Sequence, residues 1–343
     1  MICVNFNLGL IFESYRDSKK INMFMINLRN GEIYVIKLKT FGSFTVGNDL
    51  TSVQEGAWRS EKLEKLFVYL AMNRNRGVCI EDISEAIWQV EEETDNPVGA
   101  LKNLAYRLRK ALRDASFDEE CIVSVRGGLY KWNDDVEVTI DVEEFDRYIN
   151  EAEMAFCRSK ETAIESYEKA IALYHGDFLP LRTDTHWFMT LNAFYHSRYV
   201  NTVKALAKLY IDTGCYEKLE QLCIRAIVYE RSDEQIYSYL IMARMRTKKV
   251  QMAFDTYETA KAIMDKDLGV RKTVMLNKVY EELLSVTKGV SSYNIDEVKE
   301  DINEESMEGV FMCGYPVFKE IYHLEVRKSA RSTVPESLVL ITV

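Results

Sequence analysis

A chain of 343 residues, 47% hydrophobic and 29% charged, holds apolar material for two or three domains with more than one core. Its net charge of −10 argues against a protein that coats nucleic acid non-specifically, though not against a local basic surface. No apolar run approaches the roughly 18–20 residues that span a membrane, and the opening MICVNFNLGLIFESYRD has no basic start before its apolar stretch, so a cytoplasmic protein with no membrane partner and no signal peptide is expected.

Residues 1–33 read as an N-terminal extension of little structural weight. From Tyr34 the stretch YVIKLKTFGSFTV (34–46) alternates and is rich in β-branched and aromatic residues. It predicts one or two strands, with Gly42 at a turn or bulge. Three helices follow. Ser60 is placed to cap the first, which carries Leu63, Leu66, Phe67 and Leu70 at helical spacing. After a turn at Arg76-Gly77 the second covers 80–88, with Ile83, Ile87 and Trp88 inward. An acidic connection, QVEEETDNP (89–97), leads to the third, which starts near Pro97 and runs to Arg113; proline is well tolerated at a helix start. CIVSVRGGLYKWN (121–133) then predicts a β-hairpin turning at Gly127-Gly128. Strands, three helices and a hairpin, in that order, make a winged helix with an N-terminal sheet over 34–135.

From 141 to 287 the pattern is nearly all helical and carries an internal echo. Ala163, Tyr167 and Ala170 are spaced by four and three, as are Leu219, Cys223 and Ala226, and Ala253, Tyr257 and Ala260. The last two sets are offset by 34 residues, the length of a tetratricopeptide (TPR) unit. Such spacing puts each triplet on one helix face, where small residues let a partner helix approach. Stacked helix pairs are expected rather than a bundle with one centre. Tyr167, Tyr174, Tyr195, Tyr199, Tyr210, Tyr237, Tyr239 and Tyr257 either fill the gaps between these pairs or line a groove for an unknown ligand or protein. Residues 288–306, KGVSSYNIDEVKEDINEES, are acidic and polar, as in a linker. Within 307–343, PVFKEIYHLEVRKSAR (316–331) is an amphipathic helix and ESLVLITV (336–343) an apolar strand, expected to open a further α/β domain that continues beyond this sequence. The fold class is therefore mainly α with a small α+β N-terminal domain: a winged helix-turn-helix followed by an α-helical TPR-like repeat domain.

The third helix holds the chemistry. GALKNLAYRLRKALR (99–113) carries five basic residues, Lys102, Arg107, Arg109, Lys110 and Arg113, and no acidic one. Leu101, Leu104, Ala105, Leu108 and Leu112 form its apolar stripe. The other side would present Lys102, Asn103, Tyr106 and the arginines outward, as in a helix that lies in a major groove, where arginine reads guanine bidentately and the remaining cations meet phosphates. Arg126 and Lys131 flank the hairpin turn, suited to the backbone or the minor groove. A solvated basic face would look the same on an isolated helix; its place as third of three before a basic hairpin favours DNA.

ALKNLAYRLRKAL (100–112) followed by VRGGLYKW (125–132) resembles the recognition helix and wing of the OmpR/PhoB-type winged helix. The resemblance implies that Arg107 faces the groove and that Arg109 makes a phosphate contact; Leu129 stands where that wing commonly has glycine. LFVYLAMNRNRGVCIEDISEAIW (66–88), DVEEFDRYI (141–149), IALYHGDFLP (171–180) and AFDTYETAKAIMDKDLGV (253–270) extend the resemblance, over roughly 34–287, to the SARP-like regulators, in which a bacterial transcriptional activation domain follows the winged helix. There Glu230-Arg231 replaces a dipeptide like Asp-Pro. The family implies a transcription activator that binds double-stranded promoter DNA, as a homodimer on direct repeats, and touches RNA polymerase. The acidic loop with Glu91, Glu92 and Glu93 is the expected polymerase contact. Residues 307–343 resemble the first helix and strand of a GGDEF-like domain without its signature loop, so no cyclase activity follows.

No catalytic constellation competes with this reading, so no enzyme, cofactor or metal is expected. His175, His186, His196 and His323 make no pair at metal spacing, and neither a phosphate-binding P-loop nor a G-x-S-x-G elbow occurs. Cys3, Cys79, Cys121, Cys157, Cys215, Cys223 and Cys313 include no C-x-x-C pair and read as reduced thiols. The alternative function is an interaction scaffold, its repeats binding a protein and its winged helix no longer binding DNA; the acidic net charge favours it and the basic helix and wing oppose it.

Overall fold

The computed structural model describes residues 28–29, 32–33, 35–48, 51–89, 96–117, 121–125, 128–268, 273–289, 321–325 and 327. Two compact units divide the chain, Met1–Leu284 and Ser285–Val343. The expected linker (288–306) lies outside the described residues save for the end of the last helix, and of the GGDEF-like stretch only a short helical segment at 321–325 and residue 327 are described. The expected N-terminal extension is described only where β1 (Leu28–Arg29) pairs with β2 (Glu32–Ile33).

Alternation decides the first sheet. In β3 (Ile36–Lys39) the two apolar residues are buried and the two lysines exposed, as in a sheet that packs one face on a core and wets the other. β3 turns back into β4 (Thr45–Gly47) and β5 (Ser52–Gln54), with Leu38 opposite Val46 and Val46 opposite Val53. The fourth strand, β8 (Val138–Ile140), joins β3 in parallel with Ile140 opposite Leu38, giving the order β5-β4-β3-β8. The sheet thus takes a strand from beyond residue 135.

Helices α1 (Glu61–Met72), α2 (Ile80–Ile87) and α3 (Pro97–Asp114) and the hairpin β6 (Ile122–Val125) and β7 (Leu129–Trp132) complete the winged helix. Ser60 is the N-cap residue of α1, but its side chain makes no capping bond; its backbone carbonyl instead accepts from Leu63 and Glu64 N–H. The four apolar residues expected inward on α1 are buried, but so is every residue from Leu63 to Ala71. Phe67 meets Phe44 of the sheet and Trp132 of the hairpin edge-on, and Tyr69 meets Trp187 from the helical domain at 4.8 Å between ring centres. A helix covered on all sides needs apolar residues all round, which the run LFVYLAM (66–72) supplies.

The helical domain stacks α4 (Asp141–Ala155) on α5 (Lys160–Leu173), the 28-residue α6 (His186–Thr213) on α7 (Tyr216–Tyr229), and α8 (Glu234–Arg246) on α9 (Val250–Leu268), with α10 (Val274–Gly289) closing the array. The three repeated triplets fall on α5, α7 and α9, the second helix of each pair, and all nine residues are buried. The eight tyrosines are buried too, and Tyr174 and Tyr199 stack at 3.8 Å. They fill the space between helices, and Tyr167 and Tyr210 also border open clefts on the surface of the helical domain. Among the described residues, Cys79, Cys121, Cys157, Cys215 and Cys223 form no disulfide, and burial pushes the Cys223 thiol well above its ordinary range.

One apolar core runs from Ile36 of the sheet through α1–α3 into α8, while Tyr237, Ile241, Tyr257 and Leu283 belong to a second cluster around the last helices. The join between sheet and helical domain is dense. Asp141, at the start of α4, accepts from Thr40 N–H (2.8 Å), Thr40 Oγ1 (2.6 Å) and Phe41 N–H (2.9 Å). Phe41 pairs with Phe178 as a β-bridge. Beside it Gly42 has φ +83°, and a Cβ there would stand 2.6 Å from the His175 carbonyl oxygen, so only glycine fits this close crossing.

Candidate nucleic-acid interface

Helix α3 begins where the sequence places it. Asn96 Oδ1 accepts from Gly99 N–H at 2.9 Å and Pro97 occupies the first turn, which satisfies one orphan donor and loses none. Leu101, Leu104, Ala105, Leu108 and Leu112 are buried, which fixes the helix against α1 and α2 and turns the opposite side outward. Lys102, Asn103, Tyr106, Arg107, Lys110 and Arg113 are exposed on it. Tyr106, 66% exposed, is a large aromatic left in water on a helix whose apolar stripe is otherwise complete. Among the described residues, Lys102, Arg107 and Lys110 enter no ion pair. A surface that neutralises its own cations costs nothing to expose; this one leaves them available.

Arg109 behaves differently from its neighbours. It is half-buried, and its Nε and Nη2 donate to the Ile122 carbonyl of β6 at 3.2 and 3.0 Å. The guanidinium that the resemblance assigns to phosphate thus holds the hairpin to the helix. Lys131 pairs with Asp134 three residues on, so its charge is partly spent inside the hairpin. Arg126 lies outside the described residues, as do Glu91, Glu92 and Glu93.

The base of the hairpin is fixed from three directions. Ile122 faces Trp132 and Val125 faces Leu129 across the ladder. Val78, just before α2, exchanges both backbone hydrogen bonds with Tyr130 at 2.8 and 2.9 Å. Trp132 Nε1 donates to the Val136 carbonyl at 2.8 Å. Gly128, with φ +81°, supplies the left-handed residue of the turn. The helix face and the hairpin therefore form one surface of set geometry.

Two features of the helical domain were not visible in the residue spacing. Arg182, from a 3-10 turn at Pro180–Arg182 of the helical domain, is 5% exposed. It donates to Glu64 Oε2 of α1 at 2.6 Å and lies 3.2 Å from Glu55 and 3.6 Å from Glu61. Lys65, the next residue of α1, pairs with Asp184. The unbroken apolar run of α1 was the signal that something covers its far side; nothing in the spacing named Arg182. The second feature is His196, whose Nδ1 lies 2.7 Å from Asp177 and Nε2 3.0 Å from Glu230. The hydrogen bond to Asp177, reinforced by Glu230, raises the imidazole pKa to about 9, and the same bond holds the Asp177 carboxyl below its ordinary value.

Two family models match the chain in succession: the C-terminal domain of transcriptional regulatory proteins over residues 55–132, and the bacterial transcriptional activator domain over residues 140–284. The transcriptional regulator RedD of Streptomyces coelicolor is 23% identical over 238 residues, covering 68% of this chain and 67% of that protein. Mycobacterium tuberculosis EmbR, solved in complex with a low-affinity phosphopeptide, superposes with a TM-score of 0.57 at 19% identity over 74% of this chain and 65% of its own. The EmbR likeness speaks for the fold alone. Each match spans about two thirds of the relative's length. The two matches follow each other in the order of the SARP-like transcriptional regulators, an OmpR/PhoB-type winged helix followed by a bacterial transcriptional activator domain, and it is to these regulators that the chain is similar.

Proposed function

We propose that this regulator binds promoter DNA sequence-specifically by laying α3 in the major groove, with the hairpin on the adjoining backbone or minor groove. The unneutralised face of α3 carries the reading: Lys102, Arg107 and Lys110 stand exposed without ion pairs among the described residues, in a chain whose net charge is −10. Arg107 reads a guanine, Lys102, Lys110 and Arg113 meet phosphates, and Arg126 and Lys131 serve the wing. Arg109 acts first by fastening the wing.

Activation proceeds through RNA polymerase, touched by the acidic loop with Glu91, Glu92 and Glu93, while a homodimer occupies direct repeats. The helical domain gates the winged helix through the shared core and Arg182, which grips α1 from behind. A ligand or protein at the helical domain would supply the signal. Transcription in vitro from a bound promoter tests the polymerase contact: replacing Glu91, Glu92 and Glu93 by alanine lowers transcript yield while DNA affinity holds. Equal loss of both would assign the loop to DNA binding or folding instead.

A further inference from the structure

The exposed face of α3 sorts by chemistry along its axis. The first half shows Val98, Lys102 and Asn103, Tyr106 stands at the middle, and most of the cations, Arg107, Lys110 and Arg113, fall in the second half. A recognition helix turns its N-terminal residues toward base edges, whereas cations are drawn to phosphates. Asn103 is exposed and makes no hydrogen bond among the described residues. Being neutral, it adds nothing to counterion release.

Its carboxamide sets a donor beside an acceptor, the pair that matches N7 and N6 of adenine in the major groove, as the arginine fork matches O6 and N7 of guanine. Asn103 and Arg107 are four residues apart, on the same side of the helix. That separation advances about 6 Å along the axis, against about 3.4 Å per base pair, so the two contacts fall about one to two base pairs apart. Tyr106, between them and exposed, has the ring to lie against a thymine methyl, a contact that apolar groups make in this groove. Resting on the reading that α3 enters the major groove, we propose that Asn103 is a specificity-determining residue that recognises an adenine one to two base pairs from the guanine recognised by Arg107.

Selection of bound duplexes from a random library by the full chain, followed by sequencing, tests this. Wild type is expected to enrich a motif containing an adenine and a guanine within two base pairs. Asn103→Ala flattens the preference at the adenine by about 5- to 150-fold, the discrimination of one bidentate pair, and keeps the guanine. Asn103→Asp moves the preference toward cytosine, whose N4 donates to a carboxylate. Lys110→Ala keeps the whole motif and lowers the salt slope of affinity by about 0.9. An Asn103→Ala protein that still enriches the full motif, or an Asn103→Asp protein with no cytosine preference, overturns the role of Asn103 while the groove reading stands. A wild type that enriches no motif, or an Arg107→Ala protein that keeps the guanine, overturns the groove reading itself.

Discussion

Arg182 enters a pocket with Glu64, Glu55 and Glu61 and has almost no access to water. Such an arrangement is asymmetric in energy: the intact group gains little over apolar packing, but removing one partner strands a buried charge at a cost of about 3–5 kcal/mol. Arg182→Leu is therefore expected to destabilise the chain by that amount in urea unfolding, and adding Glu64→Leu to restore much of the loss. If the single variant unfolds like wild type, the guanidinium is not buried as described. His196 gives a second expectation, on pH. Its pKa rises from 6.5 unfolded to about 9 folded, so its stabilising contribution is fully present below pH 6.5 and is lost as pH rises through 9. The stability gap between wild type and His196→Gln should shrink across that window. A gap equal at pH 6 and pH 9.5 would mean that His196 is not held charged between Asp177 and Glu230.

At the scale of elements, α3 and the hairpin work as a pair because Arg109 ties one to the other. This predicts a distinctive variant. If Arg109 served mainly as a phosphate contact, Arg109→Ala would lower the salt slope by about 0.9. As a fastener it leaves the slope near wild type, speeds amide exchange in β6 and β7 and weakens binding through a looser wing. A reduced slope with unchanged exchange contradicts the fastening role. The extent and apolar stripe of α3 were legible from Pro97, the leucine spacing and the absence of acidic residues, since periodicity and capping are local. The split between outward cations and the inward-turned Arg109 was not legible, because its partner is a backbone carbonyl on another element and carbonyls leave no trace in a sequence. At Ser60 the cap position of α1 was legible, but not that its side chain makes no capping bond.

For the whole molecule, the decisive fact is that winged helix and helical domain share one core. The triplets at 163–170, 219–226 and 253–260 made the stacked helix pairs legible, and the order of strands, helices and hairpin made the winged helix legible. Their union was not, because it depends on contacts distant in sequence: β8 beside β3, Asp141 on Thr40, Arg182 on Glu64 and the Thr185 hydroxyl on the Ala86 carbonyl at 2.8 Å. A piece ending at residue 135 lacks β8, Asp141 and Arg182 and uncovers α1. It is expected to show poor amide dispersion and no cooperative melt. A well-folded, cooperatively melting piece would show that the join adds little, and would remove the physical basis for gating through α1.

Whether α3 reads DNA is decided by the affinity of the full chain for promoter fragments in rising salt, with wild type beside Arg107→Ala. Wild type is expected to bind tightly and selectively, with affinity that falls steeply with salt, by about 0.9 in log affinity per log salt for each phosphate contact. Arg107→Ala is expected to lose about 1–3 kcal/mol and to blur the base preference. Equal binding of every sequence by both proteins, or no binding at low salt by either, would contradict that role of α3.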